Sequence, residues 1–196
     1  MKNEVILNGK IVSELIFNHK MMNEKFYLTY ISIQRLSGTE DKIPVMISEK
    51  LIDSGINYKN SNVLIHGQYR SHNNHQNDGI HLSLYVFVLQ IEVLPEVSNQ
   101  NEIILKGFIC KQPTFRTTPL GRKISDIILA IPRIYGKSDY IPCVCWGKNS
   151  YYVSKLNVGD PVHIEGRIQS RSYDKVINGI TEKRTAYEIS VINFNI

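Results

Sequence analysis

Apolar and polar residues alternate along most of the chain with a period of two, which is typical of β-strands that bury one face. In residues 162–168 (VHIEGRI), the even positions share one face and the polar odd positions share the other. The same alternation recurs in further segments, among them residues 84–93, 127–131, 141–145 and 187–194. The pattern predicts an all-β protein with about five strands in each half of the chain.

One nine-residue segment occurs twice. Residues 3–11 (NEVILNGKI) and residues 101–109 (NEIILKGFI) are identical at six of the nine positions. Their separation is the size of a small domain, and it exceeds the 20–50 residues of solenoid repeats. The chain of 196 residues is therefore interpreted as one domain used twice.

A short helical pattern follows the third predicted strand of each copy. In the second copy it begins near Asn149 and ends before Pro161, and in the first copy a shorter version spans residues 48–52. Five strands with a helix between the third and fourth are typical of the OB-fold. We therefore predict two tandem OB-folds, which are five-stranded Greek-key barrels, each with a short helix between strands 3 and 4. Their expected bounds are residues 1–92 and 101–196, with a linker at 93–100.

Charge is distributed unequally between the copies. The whole chain has a formal net charge of +5. Residues 1–98 contain 9 basic and 10 acidic side chains, whereas residues 99–196 contain 14 and 8. A basic second copy indicates a polyanionic partner such as nucleic acid, or an anionic membrane surface.

No stretch approaches the ~20 apolar residues that a transmembrane helix needs. The N-terminus also lacks the apolar region of a signal peptide. We therefore expect a cytoplasmic protein that has no membrane partner and no small-molecule substrate.

The residues that could form a metal or catalytic site are interpreted as ordinary core or surface residues. Cys143 and Cys145 alternate on one strand and are expected in the core, because a structural zinc site needs four ligands and a disulfide between them would be strained. The histidines at 72, 75 and 81 are interpreted as part of a solvated turn. No nucleophile elbow, Walker loop or H-E-x-x-H motif occurs. We expect no cofactor, no metal and no enzymatic activity.

Five motifs follow one another in the second copy. They are residues 101–107 (NEIILKG), 115–121 (FRTTPLG), 128–133 (ILAIPR), 139–148 (DYIPCVCWGK) and 162–173 (VHIEGRIQSRSY). In this order they resemble the bacterial single-stranded DNA-binding protein family over nearly all of residues 101–194. The first copy resembles that family only in its framework.

The resemblance implies that aromatic side chains stack on bases at the positions of Tyr140, Trp146 and Tyr173, with Tyr135 near a fourth such position. The alternation independently places Tyr140 and Trp146 on one face of the third strand, opposite the cysteines. A lone tyrosine in such a pattern is more often a packed core or interface residue. Flat aromatic surfaces are nevertheless what sequence-independent binding of single strands needs, and these aromatics alternate with cations.

Cations that could meet phosphates accompany these aromatic residues. The candidates are Arg116, Arg122, Lys123, Arg133, Lys137, Lys148, Arg167 and Arg171. A single surface lysine is usually only solvated, so the group carries more weight than any member.

The first copy lacks the matching aromatic residues. Lys42 aligns with Tyr140, Ser48 with Trp146 and Asn74 with Tyr173. We therefore expect this degenerate copy to have a structural role, such as forming an oligomer interface, in preference to weak DNA binding through backbone contacts.

The predicted function is sequence-independent binding of single-stranded DNA in replication, recombination or repair. The resemblance further implies a homodimer that presents four OB-folds and associates with the nucleoid. The family's acidic C-terminal tail has no counterpart before the chain ends at Ile196, which favours an accessory, mobile-element or primosome-type variant. Alternatives are an OB-fold scaffold with secondary nucleic-acid binding, an RNA-binding protein and a nuclease subunit.

Overall fold

A computed structural model describes residues 2–76, 79–177 and 179–196, and gives side chains for all of these except 75, 76, 79–81, 135, 177 and 180. The first half contains six strands within this range. They are β1 (Asn3–Ile11), β2 (Ile16–Met21), β3 (Glu24–Gln34), β4 (Glu40–Ser48), β5 (Asn62–Gln76) and β6 (Gly79–Leu94). A single 3-10 turn, Glu49–Leu51, follows β4.

The second half repeats this order within its described residues. Its strands are β7 (Asn101–Ile109), β8 (Thr114–Thr117), β9 (Lys123–Pro132), β10 (Ser138–Trp146), β11 (Pro161–Ile177) and β12 (Ile180–Asn195). A 3-10 turn, Ile134–Gly136, precedes β10, and helix α1 (Lys148–Val153) follows β10.

Both halves close into partly open barrels. Most neighbouring strands are antiparallel, whereas β4 pairs with β6 and β10 pairs with β12 in parallel. The pairings β1–β3 and β7–β9 bring the first strand back against the third. The predicted all-β fold of two OB-folds is confirmed. The structure adds a short edge strand to each half, β2 and β8, and reduces the first helix to one 3-10 turn.

The repeated glycine in the nine-residue segment lies where two strands approach closely. A Cβ at Gly107 would lie 2.7 Å from the carbonyl oxygen of Ala130, and one at Gly9 would overlap the carbonyl oxygen of Ser32. Real Cβ atoms essentially never approach other atoms this closely. Barrel closure therefore requires glycine at both positions, which explains why the two copies share it.

The two halves join through their first strands. β1 and β7 pair antiparallel, with Asn3 opposite Leu105 and Leu7 opposite Asn101. Corresponding residues of the two copies are 98 positions apart, so this register is that of a two-fold axis between the halves. The result is one continuous 12-stranded sheet in the order β2-β3-β4-β6-β5-β1-β7-β11-β12-β10-β9-β8. We call the β1–β7 pairing, with the two ion-pair groups described next, the seam.

Two buried carboxylates hold the seam at symmetric places. Asp41 accepts hydrogen bonds from Arg35 of its own half and, at 2.7 Å, from the backbone N–H of Ser170 in the other half. Asp139 likewise accepts from Arg133, at 2.6 Å, and from the backbone N–H of Ser71, at 2.6 Å. Both carboxylates are fully buried, so they depend on these partners for the stability of their charge.

The second group differs from the first by one additional cation. Arg70 also donates to Asp139, at 3.1 Å, whereas its counterpart across the two-fold axis, Gln169, carries no charge. Asp139 is therefore shared by two guanidinium groups and Asp41 is bound by one.

The segment that joins the halves is also hydrogen-bonded. The Asn8 side chain accepts from the backbone N–H of Ser98, at 2.5 Å, and the Asn8 N–H donates to Gln100. Strand β6 extends to Leu94, so regular structure includes the first two residues of the predicted linker. The division at 1–92, 93–100 and 101–196 is retained as our proposal for the domain bounds.

We expect Asp139→Asn to lower the free energy of unfolding by about 3–5 kcal/mol, because it leaves two partly buried cations without their carboxylate. Asp41→Asn should cost less, since it leaves only Arg35 unpaired. Denaturant unfolding of the full chain measures both.

Asp126→Asn is the matched control for the seam variants. It breaks the surface ion pair with Arg116, which should cost less than about 1 kcal/mol. Equal losses for Asp139→Asn and Asp126→Asn would show that the buried groups do not stabilise the seam.

Candidate nucleic-acid interface

Strand β10 presents two different faces. Ile141, Cys143 and Cys145 point into the core and are buried. On the opposite face, Tyr140 is 41% exposed and Trp146 is half-buried. The two rings are six residues apart on one strand, which corresponds to roughly 20 Å between their Cα atoms.

Trp146 is held by a hydrogen bond to the neighbouring strand. Its indole Nε1 donates to the Ser190 hydroxyl at 3.2 Å, and β12 runs parallel to β10 with Val144 beside Ser190. The bond fixes one edge of the indole ring while part of the ring remains accessible. Such a ring is a pre-ordered surface for stacking.

The third aromatic residue lies on the long β11–β12 hairpin. Tyr173 is 37% exposed, and the Arg171 guanidinium lies 5.8 Å from its ring centroid, within the range of a cation–π contact. The side chain of Tyr135, the fourth candidate, lies outside the part of the chain whose side chains the structure describes. Tyr140, Trp146 and Tyr173, with the cations around them, are hereafter called the aromatic face.

Most predicted phosphate contacts are exposed in the second half. Arg122 and Lys123 lie at the β8–β9 turn, Lys137 precedes β10, and Lys148 begins α1. All four are exposed, as is Arg171. These side chains are accessible to a strand that crosses the sheet.

The other three predicted phosphate contacts, all arginines, are paired with a carboxylate or partly buried. Arg116 forms an ion pair with Asp126, and this bond raises the pKa of Arg116. Arg133 belongs to the seam, where its bond to Asp139 raises the pKa of Arg133. The Nε of Arg167 is buried and has no hydrogen-bond partner among the described residues. Arg133 therefore primarily joins the two halves, and its role toward phosphate stays a prediction.

Sequence reasoning missed two carboxylates on this face. Register places Asp126 of β9 opposite Val144, and Glu188 lies on β12 two residues before Ser190. Burial raises the pKa of the half-buried Glu188, and the Asp126 charge raises it further, whereas Arg171 lowers it. The alternation of Tyr187, Ile189 and Val191 could have revealed Glu188, because it assigns the residues between them to the face of Trp146.

The thiols of Cys143 and Cys145 are buried in the core. Burial raises the pKa of Cys143 well above its ordinary value and that of Cys145 to about 12. Within the described residues, no group of three or more His, Cys, Asp or Glu side chains is arranged to hold a metal ion. Nor does any described helix combine the length and the apolar character needed to cross a membrane.

Comparisons with known proteins agree with this geometry. The model of the single-strand binding protein family matches residues 100–196. A single-stranded DNA-binding protein of Halalkalibacterium halodurans is 35% identical over 81 residues, which cover 38% of this chain and 48% of the relative. One from Clostridium tetani is 37% identical over 81 residues, 38% of this chain and 56% of the relative. The chain thus spans about half the length of the curated relatives it matches.

The whole chain also has a structural counterpart. The wild-type single-stranded DNA binding protein from Thermus aquaticus superimposes with a TM-score of 0.74, over 99% of this chain and 92% of that one. At 16% sequence identity, this likeness shows a shared fold of both halves and their arrangement. The second half of the chain, residues 100–196, thus matches the model of the single-strand binding protein family, and the curated relatives that resemble it are single-stranded DNA-binding proteins.

Proposed function

We propose that this protein binds single-stranded DNA without sequence preference, through the aromatic face of its second half, during replication, recombination or repair. The observation that carries the proposal is the placement of Tyr140 and Trp146 on one accessible sheet face, with Tyr173 on the adjoining hairpin. The names of the relatives, which are single-stranded DNA-binding proteins, support it.

The chemistry of the face fits a flexible polyanion whose bases can unstack. Each base that stacks on an aromatic ring contributes about 1–3 kcal/mol, and every base offers a flat surface, so the sequence matters little. Exposed cations at the β8–β9 turn and along β11 can neutralise phosphates. Binding that relies on them weakens with salt, with a slope of about −0.7 per contact. Nothing in this arrangement requires catalysis.

A homodimer that presents four OB-folds is part of the proposal. It rests on the family resemblance and on the two OB-folds of each chain. Such an assembly would act in the bacterial cytoplasm, where the DNA is. The alternative is an OB-fold scaffold whose nucleic-acid binding is secondary.

We expect oligo(dT) to quench the fluorescence of Trp146, which is the only tryptophan of the chain. Replacing both Trp146 and Tyr140 by Ala should weaken binding by about 2–6 kcal/mol, because two base stacks are lost. Fluorescence anisotropy of a labelled oligonucleotide measures the loss.

Tyr151→Ala provides the matched control for the stacking variants. Tyr151 is a comparably exposed tyrosine, at 54%, but it lies on α1 and not on the face of β10 that carries Tyr140 and Trp146. Its removal should leave the affinity unchanged. An absence of quenching at low salt, or an equal loss from Tyr151→Ala, would contradict the stacking model and favour the scaffold alternative.

The proposed dimer predicts a mass of twice 22.5 kDa in native mass spectrometry when free, and that mass plus the mass of the oligonucleotide when bound to oligo(dT). A titration on the same sample should show one dimer occupying a site larger than the roughly 4–16 nucleotides of a single OB-fold. A monomer that occupies a site of single-fold size would contradict the four-fold assembly.

We expect Glu188→Gln to stabilise the protein at neutral pH. Because the folded state raises the pKa of Glu188, it binds the proton more tightly than the unfolded chain does. The stabilising effect of that proton is present below the ordinary carboxyl pKa and is lost as the pH rises through the raised value. The advantage of the variant should therefore vanish in acid, as thermal unfolding at several pH values will show.

The same variant should bind oligo(dT) about two- to five-fold more tightly at neutral pH, the scale of one screened surface charge. Glu92→Gln removes an exposed carboxylate from β6 of the first half and should change neither property. A Glu188→Gln variant that is no more stable than the wild type at neutral pH would refute this assignment.

A further inference from the structure

A cavity lies between the two halves, where the connecting segment crosses from β6 to β7. It has a volume of about 310 Å³ and is lined by side chains of both halves and of the segment itself. The first half supplies residues 33–36, the second half supplies Arg167, and the segment supplies Ser98 and Asn99. Because the connecting segment forms one of its walls, we call this cavity the linker pocket.

Hydrogen bonds hold the connecting segment in its place beside the pocket. The backbone N–H of Gln34 donates to the Asn99 side-chain oxygen at 3.0 Å. Asn8 accepts from the N–H of Ser98 and donates its own N–H to Gln100. Asn99 has a left-handed conformation, with φ of 56°, which asparagine adopts more readily than most residues. The wall is therefore an ordered part of the fold.

The two-fold axis between the halves gives the linker pocket a counterpart of different shape. Residues 131–134 correspond to residues 33–36, and Gln68 corresponds to Arg167. These counterparts line the edge of a larger, open groove on the first half. The chain crosses between the halves once, so the connecting segment covers only one of the two places. The linker pocket is thus a property of the tandem chain and not of a single OB-fold.

The arginine in the linker pocket is two residues away from the position that binds the buried carboxylate across the axis. In the first half, Arg70 follows Gln68 at this distance and donates to Asp139. In the second half the corresponding positions hold Arg167 and Gln169, so arginine and glutamine are exchanged. The Nε of Arg167 is buried and has no hydrogen-bond partner among the described residues. A buried donor without an acceptor is unfavourable, so this position favours binding of an acceptor.

The charge of the linker pocket favours an anion. Its described lining contains two arginines, Arg35 and Arg167, and one carboxylate, Asp41. Asp41 already accepts two hydrogen bonds from Arg35. It also accepts from the N–H and the hydroxyl of Ser170. The charge of Arg167 is therefore left without a counter-charge in the described lining.

We propose that the linker pocket binds one small free oxyanion, a phosphate or a carboxylate, through the guanidinium group of Arg167. The fork of N–H donors in a guanidinium group matches both anions. The Asn99 oxygen is engaged by Gln34, so the Asn99 NH₂ group can donate to the ligand together with the Ser98 hydroxyl. A volume of about 310 Å³ is at the lower end of ligand sites, which begin near ~300 Å³, and it suits a small molecule.

A bound oxyanion would connect the two halves at a second place besides the seam. It would contact Arg167 of the second half and Asn99 of the connecting segment, which is bonded to Gln34 of the first half. A ligand that binds only the folded chain stabilises it by mass action. The stability of the joined halves should therefore depend on the concentration of the anion. This role goes beyond the proposed binding of DNA by the aromatic face.

Calorimetric titration of the full chain with inorganic phosphate tests the site, with sodium chloride of equal ionic strength as the reference. One phosphate should bind per chain, and the thermal unfolding midpoint should rise with phosphate concentration. Succinate in a parallel titration distinguishes the two ligand classes, since the anion that binds more tightly identifies the preferred group. Absence of binding by both anions would refute the proposal.

Two variants should weaken the binding of phosphate. Arg167→Gln introduces the residue that the first half already has at the corresponding position, so it should fold. It should weaken phosphate binding by about 10- to 100-fold, the effect of losing a charged hydrogen-bond donor. Asn99→Gly removes the amide but retains access to the left-handed conformation. It should weaken phosphate binding to a smaller extent and leave the affinity for oligo(dT) unchanged.

Arg122→Gln is the matched control for the loss of one positive charge. Arg122 is exposed at the β8–β9 turn and is not part of the pocket lining, so its replacement should leave phosphate affinity unchanged. Equal losses from Arg122→Gln and Arg167→Gln would show a general effect of net charge and overturn the inference.

Competition with oligo(dT) separates this site from the function proposed for the second half. Phosphate should remain bound when the chain is saturated with oligo(dT) at constant ionic strength. Displacement of phosphate would place Arg167 in the path of the DNA strand and refute a separate oxyanion site. Phosphate binding in a chain whose Trp146 is not quenched by oligo(dT) would support the linker pocket and refute the stacking model.

Discussion

The antiparallel pairing of β1 with β7 is the interaction on which the rest of the structure depends. Each of these strands has a second neighbour within its own half, β5 or β11, so the pairing makes both strands internal to one sheet. It also brings the buried carboxylates of Asp41 and Asp139 within hydrogen-bond reach of the opposite half. A buried carboxylate that lacked these donors would be strongly unfavourable. The pairing and the ion pairs therefore support each other.

Joining the halves places the aromatic face and the outer face of the first half on one continuous sheet. The first half has a groove of about 1370 Å³ on this face, and the second half contributes residues 131–134, Thr185 and Tyr187 to its wall. Across the axis, Arg35 and Leu36 of the first half line a smaller cavity of about 310 Å³ beside Arg167. Both of these cavities are thus lined by residues of both halves. Loss of the seam should disturb binding as well as folding, because the residues that border the surfaces also hold the halves together.

Local sequence patterns predicted the features that are determined within a single strand. The period-two alternation identified the strands, and the parity of residues 140–146 placed Tyr140 and Trp146 on a common face. A repeated Arg with Asp six residues later, Arg35 with Asp41 and Arg133 with Asp139, was an available sign of the seam. Its meaning required the partner strand, since Ser71 and Ser170 are supplied from the opposite half.

The groove could not be found in this way because its side chains converge through the register between strands. Comparing aligned positions gave Lys42 and Ser48 opposite the stacking residues, which made the first copy look devoid of aromatics. Phe26, Phe87 and Tyr85 become neighbours only when β3, β4 and β6 are placed side by side. The alternation along β12 is enough to assign Glu188 to the face of Trp146, but the charges that shift its pKa, Asp126 and Arg171, lie on other strands.

The additional arginine on one side of the seam has a consequence for symmetry. In a homodimer with a two-fold axis, every substitution at the interface appears twice, so both sides must tolerate the same residue. A chain that contains both partners is free of that constraint. Arg70 can bind Asp139 while the uncharged Gln169 occupies the mirrored place, and Asp126 of the second half can correspond to the apolar Leu28 of the first. Covalent linkage of the two halves thus allows their two-fold symmetry to be broken, so that the two ends of the sheet differ. A nucleic-acid strand has two different ends as well, and only an asymmetric surface can distinguish them.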